Sequence, residues 1–543
     1  MNVALKSFPF GSASAQAAAL RKGQVSSVEL LKAYLERVDR FNPALNALVV
    51  DDRRSAMNRA RAADRALAKG ELWGPLHGLP MTVKESFDLV GQPTTWGHLP
   101  RKDHAAATDA LAVDRLKAAG AVVFGKSNVP LNLADFQSYN ALYGTTHNPW
   151  DLTRGPGGSS GGSAAMMAAG LSALEYGSDI GGSIRNPAAY CGVYGHKSTW
   201  CIVPKRGHSL APMPGAEADL SVIGPLARSA GDLALALKLT VGPDVLNARG
   251  LQYRLPVPPK ALKGLRVAVW LDEPIAPVDD SVKARIEAAA RALAKAGAKV
   301  DFKARPDFDP AHAHRVYNLL LQANMAARRT DYADLVAART RLRDDDLSDH
   351  ALALRASTAS YKEVFDAHQQ REHLRWAWHD FFGRFDMLLM PITATAAFPH
   401  GQSEPMPARR MRINGVDRPY FGQLFWAGSK SGRALKSTLA PALASARAAA
   451  SMRAFTLSST GAIGSSSQTA TRRPFSALGG AGSLYCRPRA LSRSAPTVSF
   501  SARARSPALR ASGPITDRSA SAPGLGARLW PRLGTMHQVD LWP

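Results

Sequence analysis

Two serines, Ser159 and Ser183, lie in a stretch of unusually high glycine and serine content, residues 153–195. Glycine lets the backbone adopt positive φ and approach a ligand closely. Several backbone N–H groups brought together in this way can hold an anion, as acyl transfer requires at the oxygen that becomes negatively charged. A serine hydroxyl can supply the nucleophile for the same reaction. This stretch therefore predicts a serine-dependent acyl-transfer site.

A flexible Gly/Ser linker is the other interpretation of such a stretch. Two features of the sequence argue against it. Residues 164–174 are small and apolar over the length of a buried helix, and the glycine-rich pattern returns afterwards at residues 178–185. Because a linker does not enclose a buried helix, we interpret the stretch as part of a folded site.

Two short motifs match patterns of other enzyme classes. Residues 120–127 fit the phosphate-binding pattern G-x-x-x-x-G-K-[ST], but their Ala-Val-Val-Phe predicts a strand where that pattern needs a loop. Residues 157–161 fit the G-x-S-x-G nucleophile elbow, but segment 148–154 precedes them instead of an apolar strand. Such a hydrolase also needs a catalytic histidine downstream. His196 and His208 are present, but isolated histidines are mostly structural. We therefore favour neither nucleotide binding nor an α/β-hydrolase.

The net charge of +25 is unevenly distributed along the chain. After Ser429 there are 16 Lys and Arg against only Asp517 and Asp540, so +14 of the charge falls in the last 114 residues. In the preceding residues, acids and bases alternate in the ordinary way. The charge therefore describes the tail, and we do not expect the folded part to bind nucleic acid.

The cysteines and the N-terminus indicate the cellular compartment. Three cysteines give neither a disulfide framework nor the spacing of metal ligands, which favours a reducing compartment. Pro9, Gly11 and Ser12 interrupt the apolar segment that a signal peptide would need. No apolar run approaches the length of about 18 residues that predicts a membrane span. We expect a cytoplasmic protein.

Hydrophobic periodicity predicts the elements that would position the two serines. Residues 12–70 show helical spacing, and a short apolar strand ends at Lys84, a position where lysine is ordinarily an exposed edge charge. A strand–helix–strand pattern covers residues 265–302. Residues 311–382 are mostly helical, and a buried strand follows at 386–390. These patterns predict α/β architecture.

Five short motifs follow one another along the chain: G-x-P-x-x-V-K at 78–84, G-K-S-N at 125–128, G-G-S-S-G-G-S at 157–163, D-I-G-G-S-I-R at 179–185 and G-P-L-A-R-S at 224–229. In this order they resemble the amidase signature family of serine hydrolases, over roughly residues 20–428. The resemblance implies an α/β fold with a mixed central β-sheet flanked by helices on both faces. Glu85 stands where the family has aspartate.

The resemblance also implies catalytic roles. Ser183 resembles the nucleophile, Ser159 the bridging serine on a cis peptide bond, and Lys84 the base of a Ser-Ser-Lys triad. A lysine can act as a base when burial lowers its pKa and favours the neutral form. The Ser159 hydroxyl both donates and accepts, so it can pass a proton between the other two groups. The resemblance implies an acyl-enzyme and requires no metal or cofactor.

Backbone and supporting groups of the nucleophile loop follow from the same resemblance. The implied oxyanion hole consists of the backbone N–H groups of Ile180, Gly181, Gly182 and Ser183. Asp179 and Arg185 flank the loop, and we expect them to support it from behind. A surface ion pair is the alternative interpretation of these two residues.

The implied function is that of an amidase, a hydrolase that converts a carboxylic acid amide to the acid and ammonia or an amine. We expect a small-molecule amide as the partner and no association with a membrane. Whether the chain forms a homodimer is left open. One alternative is the glutaminase subunit of a tRNA-dependent amidotransferase, and another is an inactive remnant whose basic tail binds polyanions. Five further residues are mostly apolar, and they either favour an aliphatic or aryl amide as the substrate or are ordinary core residues: Leu131, Leu133, Phe136, Leu142 and Tyr143.

We expect one amidase signature domain over residues 1–428, with N-terminal helices (1–75), a catalytic core (76–235) and a variable substrate-side region (236–428). Residues 429–543 are rich in Arg, Ser and Ala and lack periodicity, which predicts a disordered tail. In the family, sheet strands and a closing helix occupy this position. A shifted reading frame is one explanation of the tail, and a genuine basic arm for nucleic acid is the other. Either would leave sheet edges exposed.

Overall fold

The computed structural model describes residues 8–210, 216–257, 261–327, 329, 331–346 and 348–428, together with the backbone of 438–440 and 483–486. All of these belong to one compact unit, Met1–Ala490. A second unit, Leu491–Pro543, lies outside the described residues. The subdivision of the domain at residues 75, 235 and 428 stays a prediction.

The N-terminal part places helices around a small sheet. Its elements are α1 (Ala13–Arg21), α2 (Ser27–Leu45), β1 (Leu48–Asp51), α3 (Arg53–Ala68), β2 (Pro80–Lys84), α4 (Leu111–Ala118) and β3 (Val122–Ser127). Helix α2 begins where Ser26 and Glu29 bind each other's backbone N–H groups in a capping box. Strand β3 lies between β1, which is antiparallel to it, and β2, which is parallel. The predicted strand that ends at Lys84 is confirmed.

The glycine-rich stretch forms the middle part of the fold. Two short strands, β4 (Tyr139–Asn140) and β5 (Gly144–Thr145), precede it. Its own elements and those that follow are α5 (Gly161–Ala168), β6 (Glu175–Asp179), α6 (Arg185–Cys191), β7 (Tyr194–Lys197), β8 (Val222–Ala227) and α7 (Ala230–Thr240). Every residue of α5 is buried. The helix predicted over residues 164–174 is thus present, but it begins earlier and ends at Ala168. The linker interpretation is wrong.

The third part carries the remaining strand–helix units. Its elements are β9 (Arg266–Val269), α8 (Asp280–Lys295), β10 (Lys299–Asp301), α9 (Pro310–Ala326), α10 (Tyr332–Arg339), α11 (Asp349–Ser357), α12 (Tyr361–Arg384), β11 (Met387–Met390), β12 (Arg410–Ile413), β13 (Val416–Pro419) and α13 (Leu424–Gly428). Strand β9 is parallel to both β10 and β11. The predicted unit over residues 265–302 is therefore confirmed.

Two further strands, β14 (Thr438–Ala440) and β15 (Ser483–Cys486), complete a central sheet in the order β10-β9-β11-β15-β14-β7-β8-β6. The sheet is mixed, because the first three strands are parallel and the other pairs are antiparallel. The predicted α/β fold with a mixed central sheet is confirmed. The prediction that the tail supplies no strand is wrong for these two segments, which are short enough to escape a periodicity search. The remaining tail residues lie outside the described part.

The small sheet meets the central sheet where β2 lies beside β6. The backbone N–H of Thr82 in β2 donates to Leu174 O, just before β6, at 3.3 Å. The ends of both strands and the start of α5 therefore converge, and most of the predicted site residues lie there. Within the described residues, no helix combines the length and apolar character needed to cross a membrane.

Candidate active site

Lys84 is the last residue of β2, and its side chain is completely buried. Its Nζ donates to Ser159 Oγ at 2.6 Å and to Ser178 Oγ at 3.0 Å. The ordinary expectation of an exposed edge charge is therefore wrong for this lysine. The fold instead holds its amino group against two serine hydroxyls.

Burial changes the acid–base chemistry of Lys84. It lowers the pKa of the amino group to about 7, although the charges of Asp179, Glu175 and Glu85 oppose this change. Burial disfavours the ammonium form because charge is poorly solvated away from water. A substantial fraction of Lys84 is consequently neutral near pH 7 and able to accept a proton.

Ser159 lies in the loop before α5, and its peptide bond to Gly158 is cis, as the resemblance implies. The loop passes very close to its neighbours, because a Cβ on Gly158 would lie 2.2 Å from the backbone oxygen of Asp135. Only glycine fits such an approach. The backbone N–H of Gly158 donates to Asn186 Oδ1 at 3.2 Å, which ties the loop to α6.

Ser183 lies in the turn between β6 and α6, and 8% of the residue is exposed. Gly182 before it has φ of 113°, a conformation that favours glycine. The Ser183 carbonyl accepts from Ser160 N–H at 3.0 Å, which places the turn against the Ser159 loop. Among the described residues, no hydrogen bond joins the hydroxyls of Ser159 and Ser183.

The backbone N–H groups of the turn differ in their availability. Gly182 N–H donates to Asp179 Oδ1 at 2.9 Å. The N–H groups of Ile180, Gly181 and Ser183 donate no hydrogen bond within the described part of the chain. Three of the four donors implied for an oxyanion hole are therefore available, and the fourth supports the turn.

Asp179 and Arg185 form a buried ion pair behind the turn. Both are at most 2% exposed, and Arg185 binds the carboxylate through Nη2 at 2.8 Å and Nε at 2.9 Å. Burial of Asp179 opposes ionisation, but the charge and hydrogen bonds of Arg185 outweigh it and hold the pKa of Asp179 well below its usual range. Arg185 Nη1 also donates to Ala427 O at 2.8 Å. The interpretation of Asp179 and Arg185 as a surface ion pair is therefore wrong.

Two polar residues near Lys84 were not singled out from the sequence. Ser178 accepts the second hydrogen bond of Lys84, and Glu175 lies fully buried at the start of β6. Both are placed by the approach of β6 to β2, which are about 90 residues apart in sequence. No local pattern encodes that approach. The one available signal was an acidic residue, Glu175, directly after the apolar run at residues 164–174.

An apolar cluster borders the nucleophile turn. Ile180 packs against it, and Tyr317 donates its hydroxyl to Ile180 O at 3.1 Å. The cluster includes Phe136, Val316, Leu320, Tyr420 and Leu424. Of the apolar residues predicted near the acyl group, Phe136 lies in this cluster, whereas Leu131 is exposed and Tyr143 donates to Glu85.

A cavity of about 440 Å³ lies along α9 and is lined by residues including Asp219, Leu320, Asn324, Tyr332 and His368. None of the predicted site residues lines it, so the hydrogen-bonded serines and lysine locate the site rather than this cavity. In the described ranges, no group of three or more His, Cys, Asp or Glu is arranged to hold a metal ion.

Comparison with known proteins gives one consistent set of relatives. Residues 29–418 match the model of the family described as Amidase. An indoleacetamide hydrolase of Bradyrhizobium diazoefficiens is 34% identical over 417 residues, which cover 76% of this chain and 75% of the relative. A glutamyl-tRNA(Gln) amidotransferase subunit of Roseiflexus castenholzii is 34% identical over 405 residues, covering 70% of this chain and 81% of the relative.

A solved structure shows the same likeness. The native peptide amidase of Stenotrophomonas maltophilia superimposes with a TM-score of 0.60 at 27% sequence identity. The match covers 79% of this chain and 89% of that protein. Sequence and fold therefore agree on the same group of relatives.

Proposed function

This chain belongs to the amidase signature family, whose members hydrolyse amide C–N bonds, and from that premise we propose that Ser183, Ser159 and Lys84 carry the reaction through a serine acyl-enzyme. The protein is an amidase. The observation that carries the proposal is the buried hydrogen bond of 2.6 Å between Lys84 Nζ and Ser159 Oγ. It joins a lysine that is partly neutral near pH 7 to a hydroxyl that can relay its proton.

Acylation follows from this arrangement. Ser159 gives its proton to neutral Lys84 and takes the proton of Ser183, while Ser183 Oγ forms a bond to the amide carbonyl carbon. The carbonyl oxygen becomes an oxyanion, for which the N–H groups of Ile180, Gly181 and Ser183 are the available donors. The C–N bond breaks as its nitrogen takes a proton from Ser159, and Lys84 returns a proton to Ser159. Ammonia or an amine leaves.

Deacylation uses the same relay. A water molecule attacks the acyl carbon and gives its proton through Ser159 to Lys84. The bond from the acyl carbon to Ser183 Oγ then breaks, and Ser183 takes the proton back. The relay requires contact between the two serine hydroxyls, and such contacts often tighten only in the substrate complex. Rotation about the Cα–Cβ bond of Ser183 is the movement that we infer.

The surroundings of the turn favour an uncharged acyl group. Ile180 and the cluster that contains Phe136 and Leu320 are apolar, and a charged substituent placed against them would lose its solvation without a partner. Indoleacetamide hydrolase is one of the relatives, and its named substrate has an apolar aryl group. We therefore propose small aryl or aliphatic primary amides as the substrate class.

A second candidate function is glutamine hydrolysis beside a partner protein. It is favoured by the likeness to the glutamyl-tRNA(Gln) amidotransferase of Roseiflexus castenholzii. Glutamine carries two charges near its backbone, which the apolar cluster does not match. Cytoplasmic location and a homodimer stay predictions.

We expect the purified chain to release ammonia from indoleacetamide or phenylacetamide at least ~10-fold more efficiently, in kcat/KM, than from L-glutamine. The physical reason is the apolar border of the nucleophile turn. An ammonia assay with each amide measures this, and the Ser183→Ala variant supplies the blank. A higher kcat/KM with glutamine would favour the second candidate.

Replacing Ser178 by alanine should slow acylation by about 10- to 100-fold, because Lys84 loses one of its two hydrogen-bond partners and is held less well against Ser159. The rate of labelling by a fluorophosphonate measures this step. Ser178→Thr keeps the hydroxyl and should retain most of the rate. An unchanged rate in Ser178→Ala would show that Ser159 alone positions the amino group.

A further inference from the structure

A second polar layer lies beside the Lys84–Ser159 pair, centred on Glu175. The Glu175 side chain is completely buried, and its Oε1 accepts from Thr82 Oγ1 at 2.6 Å. The hydroxyls of Ser127 and Ser163, which contact each other at 2.8 Å, also favour the ionised form of the carboxyl. All the partners of this acid are hydroxyls or a backbone N–H, and no cation pairs with it among the described residues.

The layer is built from the same elements as the base and its relay. Thr82 and Lys84 are two residues apart in β2, so their side chains share a face of the strand. Ser163 follows Ser159 by four residues, in the first turn of α5. The Glu175 carboxyl is consequently close enough for its charge to act on Lys84.

The other charged groups of this region are Asp179, Glu85, Arg185, Lys126 and Lys197. Asp179 is held ionised by Arg185. Glu85 accepts from the backbone N–H groups of Thr95 and Trp96. Glu175 differs, because burial raises its pKa to about 7 in spite of its hydrogen bonds. It therefore changes charge in the same pH range as Lys84.

We propose that Glu175 is a positioning residue for the reaction: through the charge of its carboxyl, it sets the protonation state of Lys84. The inference rests on the proposed role of Lys84 as the base. When Glu175 is ionised, its negative charge retains the proton on Lys84 and withholds the base. When Glu175 is protonated and neutral, Lys84 gives up its proton more readily, and the relay to Ser159 can run.

Two interacting groups that titrate in one range produce a broadened curve. As pH rises, ionisation of Glu175 opposes the loss of the proton from Lys84. The acid limb is the part of the pH profile in which the acylation rate rises with pH. In the wild type this limb should therefore extend over a broader pH range than the titration of a single group. Removing the charge of Glu175 should move the limb to lower pH and make it steeper.

The test is the pH dependence of the second-order rate at which a fluorophosphonate labels the full-length chain, followed by intact-protein mass. In Glu175→Gln, which keeps the shape but not the charge, we expect the midpoint of the acid limb to fall by at least about half a pH unit. Ser172→Ala is the matched control. It removes a hydroxyl that accepts from Thr82 N at 3.0 Å without touching the carboxyl, so its limb should stay in place.

Thr82→Val provides an independent variant should Glu175→Gln not fold. It removes the hydrogen bond that favours the charged carboxylate, so Glu175 should stay neutral to higher pH and the limb should again move to lower pH. The inference is overturned if folded Glu175→Gln keeps the acid limb of the wild type, or if Thr82→Val does so where Glu175→Gln does not fold. It is also overturned if the acid limb of Ser172→Ala moves as far as that of Glu175→Gln. Failure of the wild type to be labelled at all would instead overturn the proposed function.

Discussion

Replacing Ser183 by alanine is expected to abolish labelling by a fluorophosphonate and to lower amide hydrolysis by roughly 10⁴-fold or more. The residue lies in the turn that carries the backbone N–H groups proposed for the oxyanion hole, and alanine has no oxygen to form the acyl bond. Intact-protein mass after exposure to the reagent measures the first effect. An ammonia assay with an arylacetamide measures the second.

Ser198→Ala is the matched control for this experiment. Ser198 is a buried serine whose hydroxyl donates to Ile223 O at 2.7 Å, so its loss should leave a single adduct. Peptide mapping of the wild type should place that adduct on Ser183. An adduct that persists in Ser183→Ala, for example on Ser159, would assign the nucleophile to another serine.

Replacing Lys84 by methionine should lower the rate of acylation by about 10²- to 10⁴-fold, the range of a general base. Methionine fills the buried space without a group that accepts a proton. The acid limb near pH 7 should also disappear, because it reports the loss of the proton from Lys84. Labelling rates measured between pH 5 and about 9 test both effects.

Lys126 offers a matched lysine on the neighbouring strand. It is also buried, and burial lowers its pKa to about 8, but its amino group donates to Pro93 O and Thr94 Oγ1 rather than to a site serine. We expect Lys126→Met to keep the limb near pH 7. If Lys84→Met were labelled at the wild-type rate with the limb intact, Lys84 would not be the base.

Local sequence patterns were sufficient to predict the helices and strands that hold the site. The apolar run before Lys84 predicted β2, and the small apolar residues at 164–174 predicted the buried helix α5, although not its exact bounds. The strand–helix–strand pattern over residues 265–302 predicted β9, α8 and β10. In each case, the residues that decide the element are contiguous, so the periodicity of burial is visible in the sequence.

Contacts between distant segments could not be predicted in the same way. Ser178 and Glu175 approach Lys84 only because β6 lies beside β2, and Arg185 reaches Ala427 across 242 residues. The two tail strands are three and four residues long, which is too short for alternation to stand out. Composition dominated that region, and it indicated a tail without strands.

The burial of Lys84 also affects the free energy of unfolding. Its pKa falls from 10.5 to about 7 on folding, so between these values the unfolded chain binds one more proton than the folded chain. This group therefore makes the fold more stable as pH rises through that window, by up to about 1.4 kcal/mol per pH unit.

Glu175 acts in the opposite sense at lower pH. Its pKa rises from 4.5 to about 7 on folding, so between these values the folded chain binds the extra proton and stability falls as pH rises. The two contributions meet near pH 7, where these two groups together contribute least to the stability of the fold. The surrounding hydrophobic core must offset this penalty at the pH at which the base becomes available.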